Sequence, residues 1–428
     1  MKLKISPKDK LQGKIKVPGD KSISHRAVML GSLAEGKTEI EGFLTGEDCL
    51  STVKAFQDLG VKIEGVGTEN MLVHGVGLHG LKEADNVLDL GNSGTTTRLM
   101  LGILSGQDFY TVVTGDDSLR TRPMDRVTVP LSKMGGSFYG RDGANLLPIS
   151  VLGGSDLKGI TYNSPVASAQ VKSSLLLAGL YAEGETEVIE PAKSRDHTER
   201  MLEYFGADIE VDGLKVKVEA NPKLTAKKIV VPGDISSAAF LMVAAMITEN
   251  SEIIIENVGV NPTRDGVIEA LRKMNGNFEL LNKREVNGEP IADIKVKNSQ
   301  LKGTIIDGDL IPLLIDEIPI LAVAASQADG KTIIKDAKEL RVKETDRIDA
   351  MVKELTRLGI EVQEREDGME IIGKQEIKGG VVCQSYHDHR IAMSLAVAGL
   401  ISEDDIEIEN SDCINISFPN FKKILDRL

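Results

Sequence analysis

Five stretches of the chain repeat one pattern of apolar and polar positions. They are FQDLGVKIE (56–64), LSKMGGSFY (131–139), LEYFGADIE (202–210), LRKMNGNFE (271–279) and LTRLGIEVQ (355–363). Each carries apolar side chains at helical spacing, then a Gly or Asn that can take a positive φ, then an alternating strand. Ahead of each lies a helix rich in Ala, Gly, Leu and Ser, followed by a strand, and the echoes recur about every 70 to 80 residues. One longer echo stands out: Val17-Pro-Gly-Asp-Lys-Ser-Ile-Ser returns as Val231-Pro-Gly-Asp-Ile-Ser-Ser-Ala. The pattern counts to roughly six units, three before Val231 and three from it onward. Small helix, strand, longer helix and strand, repeated, predict an α/β architecture. The duplication predicts two similar domains of about 200 residues each. One is expected to span 1–19 plus 235–428 and the other 20–234, with the VPGD segments as crossover strands and the active site in a cleft between the domains.

Composition narrows the class. With 41% hydrophobic residues but only 4% aromatics and no Trp, the cores must be built from Leu, Ile, Val, Ala and Met. No apolar run reaches the roughly 18 residues of a membrane span, and Met1-Lys-Leu-Lys-Ile-Ser-Pro lacks signal-peptide features. The expectation is a protein that stays in the cytoplasm. Cys49, Cys383 and Cys413 cannot pair completely and are not spaced like metal ligands, so they read as small buried hydrophobes in a reducing compartment. A net charge of -14 argues against nucleic-acid or anionic-membrane partners and makes local clusters of Lys and Arg informative.

Those clusters sit at helix starts. Asp20-Lys21-Ser22-Ile23-Ser24-His25-Arg26 joins free helix amides, a hydroxyl and two cations, with Ser22 the expected cap: an anion site, or a capped and solvated helix end. Leu90-Gly91-Asn92-Ser93-Gly94-Thr95-Thr96-Thr97-Arg98 has small residues where a ligand can approach backbone. In the charge-rich loop from Gly115 to Arg126, Arg122 before Pro123 is held extended, which suits a projecting guanidinium. Ser168-Ala169-Gln170-Val171-Lys172-Ser173-Ser174 and Ser194-Arg195-Asp196-His197 are two more polar helix starts. Asp316-Glu317 lies in an apolar helix approach, where burial would raise a carboxyl pKa toward the range of a base. Lys343, Glu344 and Arg347 can share one rim, as an acid–base group with cations or as a surface ion pair. His387 and His389 have no further ligand cluster to complete a metal site. Repeats related by symmetry would aim several such helix starts at one small polyanion. From the residues alone, this is a two-domain enzyme acting on phosphorylated, carboxylated small molecules.

The set VPGDKSISHR, LGNSGTTTR, TRPMDR, ASAQVKSSLL, SRDHTERM, PGDISSAAF, RVKETDR and HDHRIAM resembles the EPSP synthase (3-phosphoshikimate 1-carboxyvinyltransferase) family, in family order from about residue 17 to about residue 420. The resemblance implies two inverse α/β barrels, each of three βαβαββ units, joined by a two-strand hinge. It implies transfer of the enolpyruvyl group of phosphoenolpyruvate to the 5-hydroxyl of shikimate 3-phosphate, by a monomer, without metal or cofactor. Lys21, Ser22, Arg26, Ser168, Gln170, Asp316 and Lys343 would hold shikimate 3-phosphate, helped by Ser194 or Arg195. Lys21, Gly94, Arg122, Gln170, Arg347 and Arg390 would hold phosphoenolpyruvate. Asp316 and Glu344 would move protons, with Lys21 beside them. Ile416, Glu339 and Ala169 depart from one part of the family and match the subgroup called class II, which leaves the response to glyphosate open. Two other readings also stay open: the sister transferase acting on UDP-N-acetylglucosamine, which would be expected to show a loop Cys absent from Arg120–Arg126, and a non-catalytic anion-binding paralogue.

Overall fold

The computed structural model describes residues 2–428. The chain forms two compact units. One comprises the chain up to Pro18, Pro232–Glu285 and Pro290–Leu428; the other comprises Gly19–Val231 and the short segment Val286–Glu289. Each unit contains three sheets and its own apolar core.

The repeat is plainest in the Gly19–Val231 unit. Strand Thr161–Asn163 leads into helix Ala169–Gly179 and then strand Thr186–Ile189, parallel to the first. Helix His197–Phe205 follows, and the hairpin Ile209–Asp212 with Lys215–Val218 closes the sheet antiparallel. This is one βαβαββ unit. The sheet built on Leu88–Asp89 and Thr111–Thr114 follows the same order of parallel pair and hairpin. In the sheet built on Glu35–Glu41, the first strand is Lys228–Val230, from the far end of the unit. Its counterpart Gln12–Lys16 pairs in parallel with Glu252–Gly259 of the other unit's sheet. Each VPGD segment therefore leaves a strand of one unit and enters a helix of the other.

The two helices of a repeat have different jobs, and composition follows. Helices Lys21–Leu33, Gly94–Ser105 and Ala169–Gly179 in one unit are buried on nearly every side, as are Ile235–Ile247, Ile318–Ser326 and His389–Ala398 in the other. Only small and apolar side chains pack that densely, which accounts for the Ala, Gly, Ser and Leu. Helices lie inside and sheets outside, the reverse of an ordinary α/β barrel. The second, amphipathic helices bury one face only. Expected to be the longer of each pair, they are the shorter in every repeat but the one with helix Arg347–Arg357. In each of the five repeated stretches the helix gives way to a positive φ, at Gly60, Gly135, Gly206, Asn275 and Gly359. The sixth repeat is shortened. After strand Ile406–Glu409 the chain ends on helix Phe421–Arg427, and Leu3–Ile5 fills the antiparallel place beside Ile406–Glu409. Among the described residues no helix is long and apolar enough to cross a membrane.

Candidate active site

Three helix starts furnish the site residues of the Gly19–Val231 unit. Helix Lys21–Leu33 is capped by Asp20, whose Oδ1 accepts from the Ile23 N–H at 2.9 Å. Ser22 is therefore not the cap expected from the sequence. The helix begins two residues earlier than a Ser22 cap would start it, so Ser22 lies in its first turn. Lys21 pairs with Asp48, from the start of helix Glu47–Asp58. Arg26 is buried and bonded entirely to neutral groups: Nε donates to Thr198 Oγ1 at 2.6 Å, Nη2 to Ser173 Oγ at 2.8 Å and Nη1 to the Ser22 carbonyl at 3.0 Å. Burial pushes its pKa down to about 10, still well above neutrality, so the enclosed charge persists.

Helix Gly94–Ser105 is capped by Ser93 and helix Ala169–Gly179 by Ser168. The two starts are joined by Gln170. Its Oε1 accepts from Arg98 Nη1 at 2.9 Å, and its Nε2 donates to Thr95 Oγ1 at 3.1 Å. Arg122 has the extended backbone expected before Pro123, at φ -81 and ψ 135. Its guanidinium turns back to Asn92 Oδ1 at 2.7 Å and Ser118 Oγ at 3.1 Å. Gly94 is the first residue of its helix, and a Cβ there would lie 3.0 Å from Arg98 Nη1 and 3.7 Å from Arg122 Nη1. A side chain would crowd the two guanidinium groups that give this helix start its positive field.

In the other unit the chemistry gathers on Arg347, the first residue of helix Arg347–Arg357. Its Nε donates to Asp388 Oδ2 at 2.7 Å, Nη2 to Glu344 Oε2 at 2.6 Å and Nη1 to Asp316 Oδ1 at 3.3 Å. Burial opposes a charge on so enclosed a guanidinium, but Asp388, Glu344 and Asp316 outweigh it and hold the pKa above its ordinary value. Arg390 Nη1 donates to the Asp316 carbonyl at 2.9 Å and lies 3.6 Å from Glu317 Oε1. Lys343 sits 3.6 Å from Glu339 rather than on the Glu344–Arg347 pair.

The dry carboxylate pair expected at Asp316-Glu317 is not what forms. A short 3-10 turn, Ile315–Glu317, sends Asp316 toward the two arginines, where its side chain keeps 18% exposure. Glu317 is buried, but among polar groups: Ser236 donates to it, and Arg264 bonds both Ser236 and the helix cap Asp234. Arg347, expected on a rim, is 1% exposed because three carboxylates draw it inward.

Comparison with known proteins gives the family. The sequence model of EPSP synthase (3-phosphoshikimate 1-carboxyvinyltransferase) matches residues 5–425. The chain belongs to the EPSP synthase family. It is 55% identical over 429 residues to the 3-phosphoshikimate 1-carboxyvinyltransferase of Petrotoga mobilis, covering 100% of this chain and 99% of that one. It is 56% identical over 425 residues to that of Desulforamulus reducens, covering 99% of each. A solved EPSP synthase structure from Acinetobacter baumannii superposes with a TM-score of 0.91 at 49% identity, covering 100% of this chain and 98% of that one.

Several residues that hold these candidate groups in place are not marked by any local pattern in the sequence. Asp388 caps helix His389–Ala398 and also grips Arg347, two tasks for one carboxylate. Asp48 pairs with Lys21 across 27 positions, and Arg98 reaches Gln170 across 72. His25 lies within the first helix-start motif and is fully buried. Its Nδ1 lies 2.7 Å from Thr52 Oγ1, which lies 2.7 Å from Thr96 Oγ1, itself 2.7 Å from the Ser93 cap hydroxyl. This buried chain links two of the helix starts. The only signal in the sequence was an excess of Ser, Thr and His on helices that are otherwise apolar.

Proposed function

We propose that the chain transfers the enolpyruvyl group of phosphoenolpyruvate to the 5-hydroxyl of shikimate 3-phosphate, giving 5-enolpyruvylshikimate 3-phosphate and phosphate. The observation that carries the reading of the residues is Arg347, held between Asp316 and Glu344 in a chain whose whole length belongs to this family. The chemistry requires such a set. The methylene carbon of phosphoenolpyruvate takes a proton, which leaves C2 electrophilic. The 5-hydroxyl adds to C2 as its own proton departs, forming a tetrahedral phospho-ketal. Phosphate then leaves with the C2–O bond electrons, and a proton lost from the methyl group restores the double bond.

Glu344 serves the methylene carbon and Asp316 the hydroxyl. Their shared contact with Arg347 supports this, because one fixed cation orients both carboxylates and carries positive charge for the carboxylate of phosphoenolpyruvate. Arg390, Arg122, Lys21 and the helix start at Gly94 complete the anion binding, and they stabilise the departing phosphate. Ser22, Arg26, Ser168, Gln170 and Lys343 hold shikimate 3-phosphate, with neutral hydroxyl and amide groups for the ring and cations for the phosphate. No redox or group-carrying step arises, so no cofactor is required. The enzyme works as a monomer in the cytoplasm.

The test is steady-state kinetics of Glu344→Gln and Asp316→Asn with both substrates. Each is expected to lose about 10² or more in kcat while both KM values stay within a few-fold, the signature of a lost proton carrier. Turnover near wild type in both variants would remove them from the mechanism.

A further inference from the structure

A second charged cluster lies in the Gly19–Val231 unit, and the reaction above gives it no role. Lys172 Nζ is 2.6 Å from Glu190 Oε2 and 2.7 Å from Glu199 Oε1, with all three side chains at most 4% exposed. Buried ion pairs are a poor source of stability, because desolvation offsets most of the attraction. Replacing such a buried group by apolar side chains of similar size is often neutral or stabilising. The cluster therefore calls for another explanation.

Its other contacts supply one. Glu190 Oε2 also accepts from the Ser194 N–H at 3.4 Å, and Lys172 Nζ reaches the Ser194 carbonyl at 3.4 Å. Both peptide groups flanking Ser194 are thus tied to the cluster, in a segment without helix or strand between Ile189 and His197. The Ser194 hydroxyl is buried and has no hydrogen-bond partner among the described residues. The cluster also borders the Arg26 site through sequence neighbours. Lys172 precedes Ser173 and Glu199 follows Thr198, and Ser173 and Thr198 are 2.6 Å apart and both bond Arg26.

We propose that Lys172, Glu190 and Glu199 form a positioning cluster that fixes Ser194 and the Arg26 pocket for the phosphate of shikimate 3-phosphate. The inference rests on the substrate reading above. The cluster touches no reacting atom; it acts through Ser194, Ser173 and Thr198. Its loss should therefore weaken capture of shikimate 3-phosphate and spare both turnover and phosphoenolpyruvate.

The experiment compares Glu190→Leu with Glu190→Gln. Both keep Lys172 paired with Glu199, but only Gln retains an oxygen for the Ser194 N–H. Glu190→Leu is expected to raise KM for shikimate 3-phosphate about 10-fold, with kcat and KM for phosphoenolpyruvate within about 3-fold of wild type. Glu190→Gln is expected to stay within about 3-fold in all three. The triple variant Lys172→Met/Glu190→Leu/Glu199→Met removes every charge of the cluster and should repeat the Leu result if the single variant does not fold. Wild-type KM for shikimate 3-phosphate in a folded Leu or triple variant overturns the proposal, as does an equal loss in Leu and Gln or a loss confined to kcat. Wild-type protein assayed alongside separates the two readings, since its failure to use shikimate 3-phosphate would sink the substrate assignment instead.

Discussion

At the scale of single residues, His25 shows how burial sets chemistry. It is 0% exposed, and desolvation pushes its pKa down to about 3, against an ordinary value near 6.5. The ring is neutral throughout the working range and serves as a fixed hydrogen-bonding group toward Thr52. The unfolded chain takes up a proton below pH 6.5, but the folded chain does not until about pH 3. The stability His25 contributes is therefore complete above pH 6.5 and is lost as pH falls toward 3. By pH 5 the loss amounts to about 2 kcal/mol, at roughly 1.4 kcal/mol per pH unit. Unfolding midpoints measured from pH 7 to pH 5 should fall more steeply in wild type than in His25→Asn. Parallel profiles would show that His25 does not titrate this way. Sequence could name His25, Arg347 and Glu344, and the i,i+3 pairing of the last two, but not their distant partners. Asp388 lies 41 positions from Arg347 and Thr52 lies 27 from His25, and no local pattern encodes such pairings.

Among elements, the close approach of two inner helices matters most to the site. A Cβ on Gly102 would sit 2.2 Å from the Ser174 carbonyl oxygen and 2.9 Å from its hydroxyl. Helix Gly94–Ser105 and helix Ala169–Gly179 can lie this close only because Gly102 lacks a side chain. Gly102→Ala gains about 1 kcal/mol in helix propensity, but the overlap is with backbone and should cost about 1–3 kcal/mol or more. We expect a lower unfolding midpoint and, because the Arg98–Gln170 bond spans the same two helices, a higher KM for both substrates. A variant as stable and as active as wild type would contradict this packing. The elements themselves were largely legible, since helical spacing followed by Gly or Asn is a local signal. At the first helix start two local solutions are nearly equivalent. Asp20 and Ser22 can each cap a helix, and only the backbone decided between them. The shortened sixth repeat was hidden for another reason: its third strand, Leu3–Ile5, comes from the opposite end of the sequence.

For the whole molecule, a net charge of -14 has to coexist with two anionic substrates. Lys21, Arg26, Arg98 and Arg390 lie in the first two turns of inner helices, Arg122 bonds Asn92 just ahead of one, and Arg347 opens an amphipathic helix, so that cation and helix dipole act together. The repeat itself was the most readable feature of the sequence, because it returns at a regular interval. The deeper networks, Lys172 with Glu190 and Glu199 above all, were not readable, because their members lie on different elements of a repeat and look alone like ordinary surface charges. The substrate pair is tested by phosphate release from phosphoenolpyruvate by the wild-type protein. It should be run with shikimate 3-phosphate, with UDP-N-acetylglucosamine and with neither. Release that requires shikimate 3-phosphate is the predicted result. Release driven only by UDP-N-acetylglucosamine, or none with either acceptor, would contradict the account.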